Sequence, residues 1–589
     1  MNFFTDNILL ILLLPVWAAF IIFSSAAFKI TDNKKTTAII TCLSTLISLC
    51  FALSLFKNPI NNVVFENSFF KFENLETLFC LGTKIDKIST VFLLILMTIS
   101  LPAQMTLYGN LKEKKHFNVC FVLVNLLTAS SASMFLSVGI LQFFIFTAIS
   151  SFITFLMLNF SSKFDEQTKQ NGICSYTAIA ETIANTSLIF GILFLLNAFN
   201  KNEFASTLLY SFDYTSFLAD ANYSQNSLLI ANIFFAIFIF IKTAQFPFNF
   251  ICTKANSTVL GLIQSCGAGA AGLFLFFRLE PVFGEAFENT IIILAAISAL
   301  ICAIIAASQN DLKKVLSNSS SMQYALMIIL ACINKQDCAI IVFIIHAFSK
   351  ALAFNAAELI EDTCSTTNLD NIVQMPRNRN KSLFWLLISI ISLSGLFFGG
   401  MVSRCFLLNE LKAVDKTTLL ITILTFFISS FAFFRYYFAI KQKPTADFMA
   451  NNHKITDFSC IVLALFVVIP GFIIHIKNFN LFFFTTSLVI ILSIVSAYYS
   501  VKSNSNLYKN ICDFSSHIAL WLYNKIQIKS LKNEDFPHKR IFYNFIEKTN
   551  IIKVMNKLTS IKRKTNKIVI ISIAFLIIII AFLITAMKG

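Results

Sequence analysis

The sequence contains little charge. Only 13% of its 589 residues are Asp, Glu, Lys or Arg, whereas soluble globular proteins contain about 25%. Hydrophobic residues make up 57% of the chain. So few charges cannot cover a solvated surface of this size, which excludes the soluble globular class. The composition instead predicts an all-α polytopic membrane protein.

Several motifs are also missing. The 14 cysteines include no C-x-x-C pair, which argues against a disulfide framework or a metal site. No Walker A, H-E-x-x-H or G-x-S-x-G motif occurs, so we expect no cofactor, no metal and no catalytic site in this chain. Residues 267–272 read GAGAAG but lie inside an apolar run, where small residues indicate close helix packing rather than dinucleotide binding.

Long apolar runs are abundant. Windows of about 20 apolar residues, the length that crosses a bilayer, recur along the whole chain. They predict about sixteen transmembrane helices, near 7–28, 37–56, 89–108, 117–136, 138–160, 173–198, 228–252, 258–278, 288–308, 320–334, 338–360, 382–404, 416–440, 457–476, 479–500 and 568–587.

Lys and Arg predict the orientation of these helices. Alternate connections, beginning with the first, contain roughly 31 basic residues, and the opposite set contains roughly 11. The first set is therefore expected in the cytoplasm, with both termini on the outer, periplasmic side. The net charge of +16 then indicates loops that face acidic lipid, and no nucleic-acid partner.

Four basic residues fall within predicted spans and not at their first or last residue, apart from Arg404, which ends the span 382–404. Arg435 lies near a helix end and is predicted to snorkel to the interface. Lys242, Lys350 and Arg404 lie deeper or beside a helix breaker, where a charge costs about 3 kcal/mol and indicates a pathway or an ion pair. Pro247 follows Lys242 closely and predicts a broken helix that lines a polar cavity.

Two further titratable residues accompany these lysines. His346 and Lys350 stand at i and i+4, on one helix face. Glu181 is the only carboxylate well inside a span in the first half of the chain. It lies within about 5 Å of the depth of Lys242, so we expect it to be the electrostatic partner of that lysine. A pure packing role for the His346–Lys350 pair, and a helix-end charge at Glu181, remain alternatives.

Four stretches in order carry a family resemblance: IKTAQFPF (241–248), FFR (276–278), ASQNDLKKVLSNSSSMQYALM (307–327) and HAFSKALAF (346–354). They resemble the antiporter-like subunits, which are the proton-pumping membrane subunits of respiratory complex I and the large subunits of Mrp-type cation/proton antiporters. The match in order and spacing extends over about 117–411.

The resemblance implies an organisation for the chain. N-terminal helices (1–116) precede an antiporter-like core (117–440) made of two inverted five-helix repeats, about 117–278 and 288–440, each with a broken helix. C-terminal helices (441–500), a basic amphipathic lateral segment (501–567) and a final helix (568–589) follow. For 501–567, a segment that lies on the inner leaflet is the alternative.

The resemblance also implies a relay. Lys242 matches a lysine on the first broken helix, and His346 and Lys350 match a histidine and lysine that receive its proton through water. Arg404 falls on the charged residue of the second broken helix, after Gly399 and Gly400, which we predict to form the break.

This sequence departs from the family pattern at four places. The glutamate of the fifth helix is absent near Ala148, the P-T-P segment reads Asn-Ser-Thr at 256–258, and Gln264 replaces a histidine. Arg404 replaces a lysine and keeps its proton at any useful pH. Relay steps that use these positions are therefore in question.

Three functions are compatible with these residues. The first is a membrane subunit of a multisubunit antiporter that moves H⁺ in exchange for Na⁺ or K⁺. The second is a proton-pumping subunit of an NADH-quinone oxidoreductase, and the third is a structural paralogue that does not conduct. Each implies other membrane subunits as partners and, given the Ile-, Lys- and Asn-rich composition, a bacterial inner membrane.

Overall fold

A computed structural model describes residues 9–27, 33–57, 64–65, 82–110, 117–162, 172–199, 212, 214, 218, 223–249, 255–412, 416–446, 454–473 and 481–502. Residues 503–567 of the predicted lateral segment, and the predicted final helix, lie outside these described residues. The following paragraphs concern the described part of the chain.

Seventeen α-helices form the described fold. They are α1 Leu9–Ala27, α2 Lys34–Lys57, α3 Lys87–Asn110, α4 Phe117–Phe135, α5 Ile140–Ser162, α6 Gly172–Phe199, α7 Gln225–Lys242, α8 Ser257–Cys266, α9 Ala268–Leu279, α10 Glu285–Ser308, α11 Leu312–Cys332, α12 Gln336–Cys364, α13 Asn380–Ser394, α14 Phe398–Lys412, α15 Lys416–Lys441, α16 Lys454–Ile473 and α17 Leu481–Lys502. Counting α8–α9 and α13–α14 as one span each, 15 spans are long and apolar enough to cross a membrane. They overlap the first fifteen predicted helices, with ends that differ by up to ten residues, and confirm an all-α polytopic membrane protein. The inverted repeats stay a prediction.

A short strand pair precedes α3. The strands β1 (Val64–Phe65) and β2 (Thr83–Lys84) are antiparallel. The Gln142 side chain, in the first turn of α5, donates to the Gly82 carbonyl at 2.9 Å and accepts from the Gly82 N–H at 3.2 Å. These bonds satisfy the backbone next to β2 and fasten it to α5.

Aromatic rings hold the centre of the helix bundle together. Phe92 of α3 stacks on Phe343 of α12 with ring centroids 4.5 Å apart, and Phe143 of α5 stacks on Phe274 of α9 at 5.9 Å. Phe92 and Phe274 also meet edge to face at 5.5 Å. Because lipid tails are as apolar as these rings, packing contacts rather than water exclusion hold the helices together.

The helix that carries Lys242, α7, ends at that residue. The N–H of Gln245 donates to the Phe240 carbonyl at 2.8 Å and that of Ala244 to the Ile241 carbonyl at 3.0 Å, which is the Schellman pattern of a helix end. Ala244 takes the left-handed position, with φ 51°. The predicted helix over 228–252 was therefore too long: the break comes five residues before Pro247, whose ring disfavours helix in the preceding residue.

The second broken helix ends in the same way, at Gly395. This glycine has φ 77° and follows the last residue of α13. The prediction that Gly399 and Gly400 form the break was wrong, because both lie in the first turn of α14. Their role is close packing: a Cβ on Gly400 would lie 1.7 Å from the Ser392 carbonyl oxygen.

The glycines of 267–272 also act in packing. A Cβ on Gly272 would lie 3.1 Å from both the Ile239 carbonyl oxygen and the Lys242 Cβ, and one on Gly269 would meet the Tyr324 ring at 2.4 Å. Small residues thus let α9 approach the end of α7 and α11, as the sequence predicts.

Polar residues gather at both ends of the bundle. At one end, which we call the Asn256 end, residues 255–258 contact Lys313, Glu358 and Glu361, and residues 310–312 contact 367–369. Arg435 lies there too, but it is fully buried and donates to Asn310 Oδ1 and to the Gln309 carbonyl. The snorkelling prediction was therefore wrong, because backbone and amide oxygens at a buried corner satisfy the guanidinium.

At the opposite end, Arg278 of α9 donates to both carboxylate oxygens of Asp86 and to Ser89 Oγ. Burial raises the pKa of Asp86, but the hydrogen bonds and charge of Arg278 outweigh burial and hold that pKa below its ordinary value. This ion pair ties the start of α3 to the end of α9.

Candidate functional site

Three helices meet at Lys242. Its ammonium donates to Glu181 Oε2 of α6 and, at 2.7 Å, to Ser151 Oγ of α5. Ser151 Oγ donates in turn to the same Glu181 oxygen at 2.8 Å and accepts from Asn185 Nδ2 at 3.2 Å. The side chains of Lys242 and Glu181 are 2% and 18% exposed. The two predicted partners are thus in contact, in a closed triangle with a serine.

The triangle explains how a lysine is accommodated at this depth. An unpaired charge inside a membrane protein is costly, and a carboxylate in direct contact offsets most of that cost. The fifth helix has no carboxylate at Ala148, yet it provides the Ser151 hydroxyl one turn later. Sequence reasoning missed Ser151. Its signal is the spacing of three residues from Ala148, which puts both on one helix face.

A cavity of about 110 Å³ opens beside Lys242. A volume of this size holds several waters. Its polar lining continues from the ion pair across to α8 and α11. The polar and titratable lining side chains are Thr154, Thr177, Glu181, Lys242, Thr243, Gln264, Ser317, Ser320, Ser321 and Tyr324. The Lys242 side chain is therefore buried beside a partly open cavity whose lining is both polar and apolar.

Gln264 organises the far wall of the cavity. Its amide nitrogen donates to Ser317 Oγ at 2.6 Å and its amide oxygen accepts from Ser320 Oγ at 3.2 Å. The Tyr324 hydroxyl donates to the Gln264 backbone carbonyl at 2.9 Å. This glutamine stands where the family resemblance expects a histidine, and it gives the wall a neutral hydrogen-bonding group.

Lys350 lies behind that wall. It is fully buried, and its ammonium donates to the Leu316 carbonyl at 2.5 Å and to Ser319 Oγ. Among the described residues it has no carboxylate within ion-pair distance, although its ammonium stands 5.5 Å from the centre of the Phe433 ring. Ser317 and Ser320 line the cavity while Leu316 and Ser319 contact Lys350, so a single turn of α11 separates the two.

His346 lies one turn before Lys350 on α12. It is 2% exposed, and within the described chain neither ring nitrogen has a hydrogen-bond partner. Its ring packs edge to face on Tyr324, with centroids 5.1 Å apart. Tyr324 therefore touches both the cavity and His346, which places the predicted i, i+4 pair on the inward face of α12.

Arg404 lies apart from these residues. Its Nη2 donates to the Leu393 carbonyl at 3.1 Å and its guanidinium carbon lies 4.1 Å from the centre of the Phe426 ring. Nη1 finds no partner in the part of the chain that the structure describes. A Cβ on Gly395 would lie 2.3 Å from Arg404 Cδ, so the break that ends α13 also makes room for this side chain.

No group of three His, Cys, Asp or Glu that could hold a metal ion occurs among the described residues. The groups available around the cavity and behind its α11 wall are two buried amines, an imidazole, the Glu181 carboxylate and hydroxyl groups. Such groups can exchange protons with each other and with water.

Comparisons with known proteins agree with this arrangement. A family profile described as "NADH:quinone oxidoreductase/Mrp antiporter, TM" matches residues 137–429, about half of the chain. The NAD(P)H-quinone oxidoreductase subunit 5 of the Mesostigma viride chloroplast is 25% identical over 433 residues, which cover 67% of this chain and 64% of that protein. The NADH-ubiquinone oxidoreductase chain 5 of Paramecium tetraurelia is 24% identical over 55% of this chain and 57% of its own. The chain spans less than two thirds of these relatives.

Solved structures share the fold. A chain of the Mrp complex from Dietzia sp. DQ12-45-1b matches with a TM-score of 0.67 and 14% identity, covering 94% of this chain and 63% of its own. A chain of the membrane-bound sulfane sulfur reductase, an archaeal respiratory membrane complex, matches with a TM-score of 0.66 and 14% identity, covering 83% and 99%. The family profile, the relatives and the shared fold together show that this multi-pass membrane chain belongs to the antiporter-like membrane subunits of the NADH:quinone oxidoreductase/Mrp antiporter family.

Proposed function

We propose that this chain is a proton-translocating membrane subunit of a multisubunit complex. One observation carries the proposal: a polar cavity starts at the Lys242–Glu181 pair and ends at one turn of α11, on whose other side lies Lys350. Lys242 lies at one side of a cavity that can hold several waters, and Lys350 lies behind its other side. Buried amines contribute little to the stability of the bundle, because packed apolar residues would stabilise it at lower cost. They suit the transfer of a charge.

In this proposal the proton moves from Lys242 to the pair on α12. The Lys242 ammonium gives up one N–H proton to cavity water, and the proton passes along the hydroxyl groups of α11 to His346 or Lys350. Glu181 stays in contact with the Lys242 ammonium until the transfer. Each step moves one proton and no electrons.

Arg404 has a different role. A guanidinium does not release its proton at physiological pH, so this residue cannot be a carrier. A fixed positive charge repels cations that approach it. We therefore assign Arg404 to a barrier that keeps protons and metal cations from leaving along α14, and place the outlet elsewhere in the predicted core of residues 117–440.

The complex could be of two kinds. The named relatives are quinone oxidoreductase subunits, whereas one structural neighbour belongs to an Mrp complex. In the first setting redox chemistry elsewhere drives proton transport; in the second H⁺ exchanges for Na⁺ or K⁺. By the excess of basic residues at the Asn256 end, we place that end in the cytoplasm of a bacterium, with both termini outside the inner membrane.

The test uses the assembled complex in proteoliposomes with a pH-sensitive dye inside. Lys242→Met and Lys350→Met should each lower the proton flux by roughly 100-fold, the contribution typical of a proton-transfer group. Lys87→Met is the matched control, because Lys87 is an exposed lysine paired with Asp337, and its flux should equal that of the unmodified complex. Wild-type flux in both core variants would establish the third alternative, a subunit that does not conduct.

The driving force identifies the complex. Flux that requires NADH and a quinone indicates the oxidoreductase, and flux that follows an imposed Na⁺ or K⁺ gradient indicates the antiporter. The comparison needs no substitution, only the same vesicles under two energising conditions.

A further inference from the structure

The start of α8 is fastened to α12 by two carboxylates. Asn256 Nδ2 donates to Glu358 Oε1 at 2.6 Å, and the backbone N–H of Thr258 donates to Glu358 Oε2 at 3.3 Å. Ser257 Oγ donates to Glu361 Oε2 at 2.6 Å. Every residue of 256–258 thus contributes one hydrogen bond to a carboxylate of α12.

These donors depend on the residue types at 256–258. A proline at 258 has no N–H, and a proline at 256 has no side-chain amide. The Asn-Ser-Thr segment at 256–258 can therefore donate to Glu358 from its first and last residues, whereas P-T-P at the same positions could not. The two carboxylates and their donors form a matched set in this chain.

The two carboxylates of α12 become more buried from the surface toward the membrane interior. Glu361 is at the rim, with its side chain 26% exposed, and accepts from Lys313 Nζ at 2.5 Å. Glu358 is 5% exposed and stands one turn closer to the membrane interior. Lys350 follows eight residues further inward on α12, about 12 Å along the axis.

Two polar side-chain atoms lie near the stretch of α12 that runs from Glu358 to Lys350. Asn355 Nδ2 and Thr258 Oγ1 are buried, and neither has a hydrogen-bond partner among the described residues. Asn355 lies on α12 between the two titratable groups, and Thr258 already contacts Glu358 through its N–H. Buried polar atoms of this kind are normally satisfied by water.

The groups around Glu358 come from three elements. Its own helix brings Glu361. Helix α11 brings Lys313, which pairs with Glu361 and whose charge also acts on Glu358, while α8 brings only the uncharged Asn256 and Thr258. Glu358 is therefore held by neutral donors and has no cation bonded to it in the described chain. A carboxylate in that setting can take up and release a proton without breaking an ion pair.

We propose that Glu358 is the access residue through which protons pass between the Asn256 end and Lys350. A proton that Lys350 has received leaves its N–H bond and passes through water near Asn355 to the Glu358 carboxylate, which gains an O–H bond and then releases the proton at the Asn256 end. This inference rests on the proposed function, since it names the outlet of the same path.

The experiment replaces Glu358 by Gln in the assembled complex. Glutamine keeps an oxygen acceptor and the shape of the side chain, so at least one donor of Asn256 or Thr258 stays satisfied, but it cannot carry a proton. Proton flux, normalised to the amount of assembled complex, should fall at least tenfold, and Glu358→Asp should recover part of it. Glu410→Gln is the control: Glu410 pairs with Lys335 at the opposite end, and its flux should not change.

A spectroscopic measurement accompanies the flux. The infrared difference spectrum of the complex between two pH values should contain a carboxylic-acid band that Glu358→Gln removes and Glu410→Gln does not. Thr258→Pro deletes the backbone N–H that donates to Glu358. The amount of assembled complex that this variant forms measures how much the hydrogen bonding between α8 and α12 contributes to assembly on its own.

The outcomes separate the two proposals. If Lys350→Met abolishes flux and Glu358→Gln leaves it at the wild-type level, the access role is wrong and the proposed function stands. If both variants conduct normally, the proposed function is wrong. If Glu358→Gln and Thr258→Pro lower assembly alike, with normal flux per assembled complex, Glu358 only fastens α8 to α12 and the access role is again wrong.

Discussion

Removal of the Glu181 charge should destabilise the protein far more than removal of the whole ion pair. Glu181→Gln leaves the Lys242 ammonium buried with only Ser151 and cavity water to solvate it. Both side chains are largely buried, at 2% and 18% exposure, and two unit charges about 3 Å apart interact by about 5 kcal/mol at an effective dielectric constant of 20. Breaking a buried pair typically costs about 3–5 kcal/mol. Because Glu181 is partly exposed, we expect the lower figure.

The double variant allows the interaction between the two charges to be measured apart from their interactions with other groups. Lys242→Met removes the cation and leaves Glu181 without its partner, at a similar cost, whereas Glu181→Gln with Lys242→Met removes both charges. We expect the double variant to lie within about 1 kcal/mol of the wild type, so the coupling free energy of the cycle, the sum of the two single losses minus the double loss, should be about 5 kcal/mol.

The assay is thermal unfolding of the assembled complex in detergent, with the same four proteins compared at one pH. The pair Lys87 and Asp337, exposed at the surface, provides a second cycle, and its coupling should be below about 1 kcal/mol. Additive losses at Lys242 and Glu181 would refute the reasoning, because they would mean that each residue is stabilised by other groups. The flux of the double variant should be as low as that of Lys242→Met.

Three further changes test other contacts. Gly272→Val should lower both flux and stability, because its Cβ would meet the Lys242 Cβ at 3.1 Å; flux at the wild-type level would show that α9 can move away. Asp86→Asn should destabilise the protein near neutral pH by roughly 2 kcal/mol through its bond with Arg278, as measured by thermal unfolding. Because the folded pKa of Asp86 is depressed, its stabilisation is present above the ordinary value and is lost as the pH falls through the folded pKa, so the difference between variant and wild type should shrink in acid. Arg404→Gln should keep the fold, since Gln can still donate to a carbonyl, and raise cation leak in the dye assay; an unchanged leak would contradict the barrier.

The sequence predicts well how deep a residue lies in the membrane, but it predicts poorly which way that residue faces around its helix axis. Apolar length alone located every described span, because the bilayer thickness fixes it. The same counting predicted that Glu181 and Lys242 lie at similar levels. It could not predict that Ser151 would complete the triangle, since a serine inside a membrane helix is common and only the packing of α5 against α6 turns it toward the pair.

The positions of the helix breaks were predicted less accurately, for a physical reason. Proline and paired glycines were taken as breakers, yet the chain leaves the helix five residues before Pro247 and five residues before Gly399. In both cases a residue in the left-handed region ends the helix, Ala244 in one and Gly395 in the other. An alanine carries no sequence signal for that conformation, and tertiary packing imposes it.

The charges along the path are unevenly compensated, and this bears on the direction of transfer. In the described chain Lys242 has the Glu181 carboxylate, Lys350 has only carbonyl and hydroxyl oxygens, and Arg404 has one carbonyl and a ring face. A carboxylate stabilises an ammonium more than neutral acceptors do, so transfer of a proton from Lys242 toward Lys350 requires that the contact between Lys242 and Glu181 be weakened first. The Glu181 side chain is 18% exposed at the surface of α6. A charge on a partner subunit or a lipid at that surface could draw the carboxylate away from Lys242, and the Lys242 proton could then pass into the cavity.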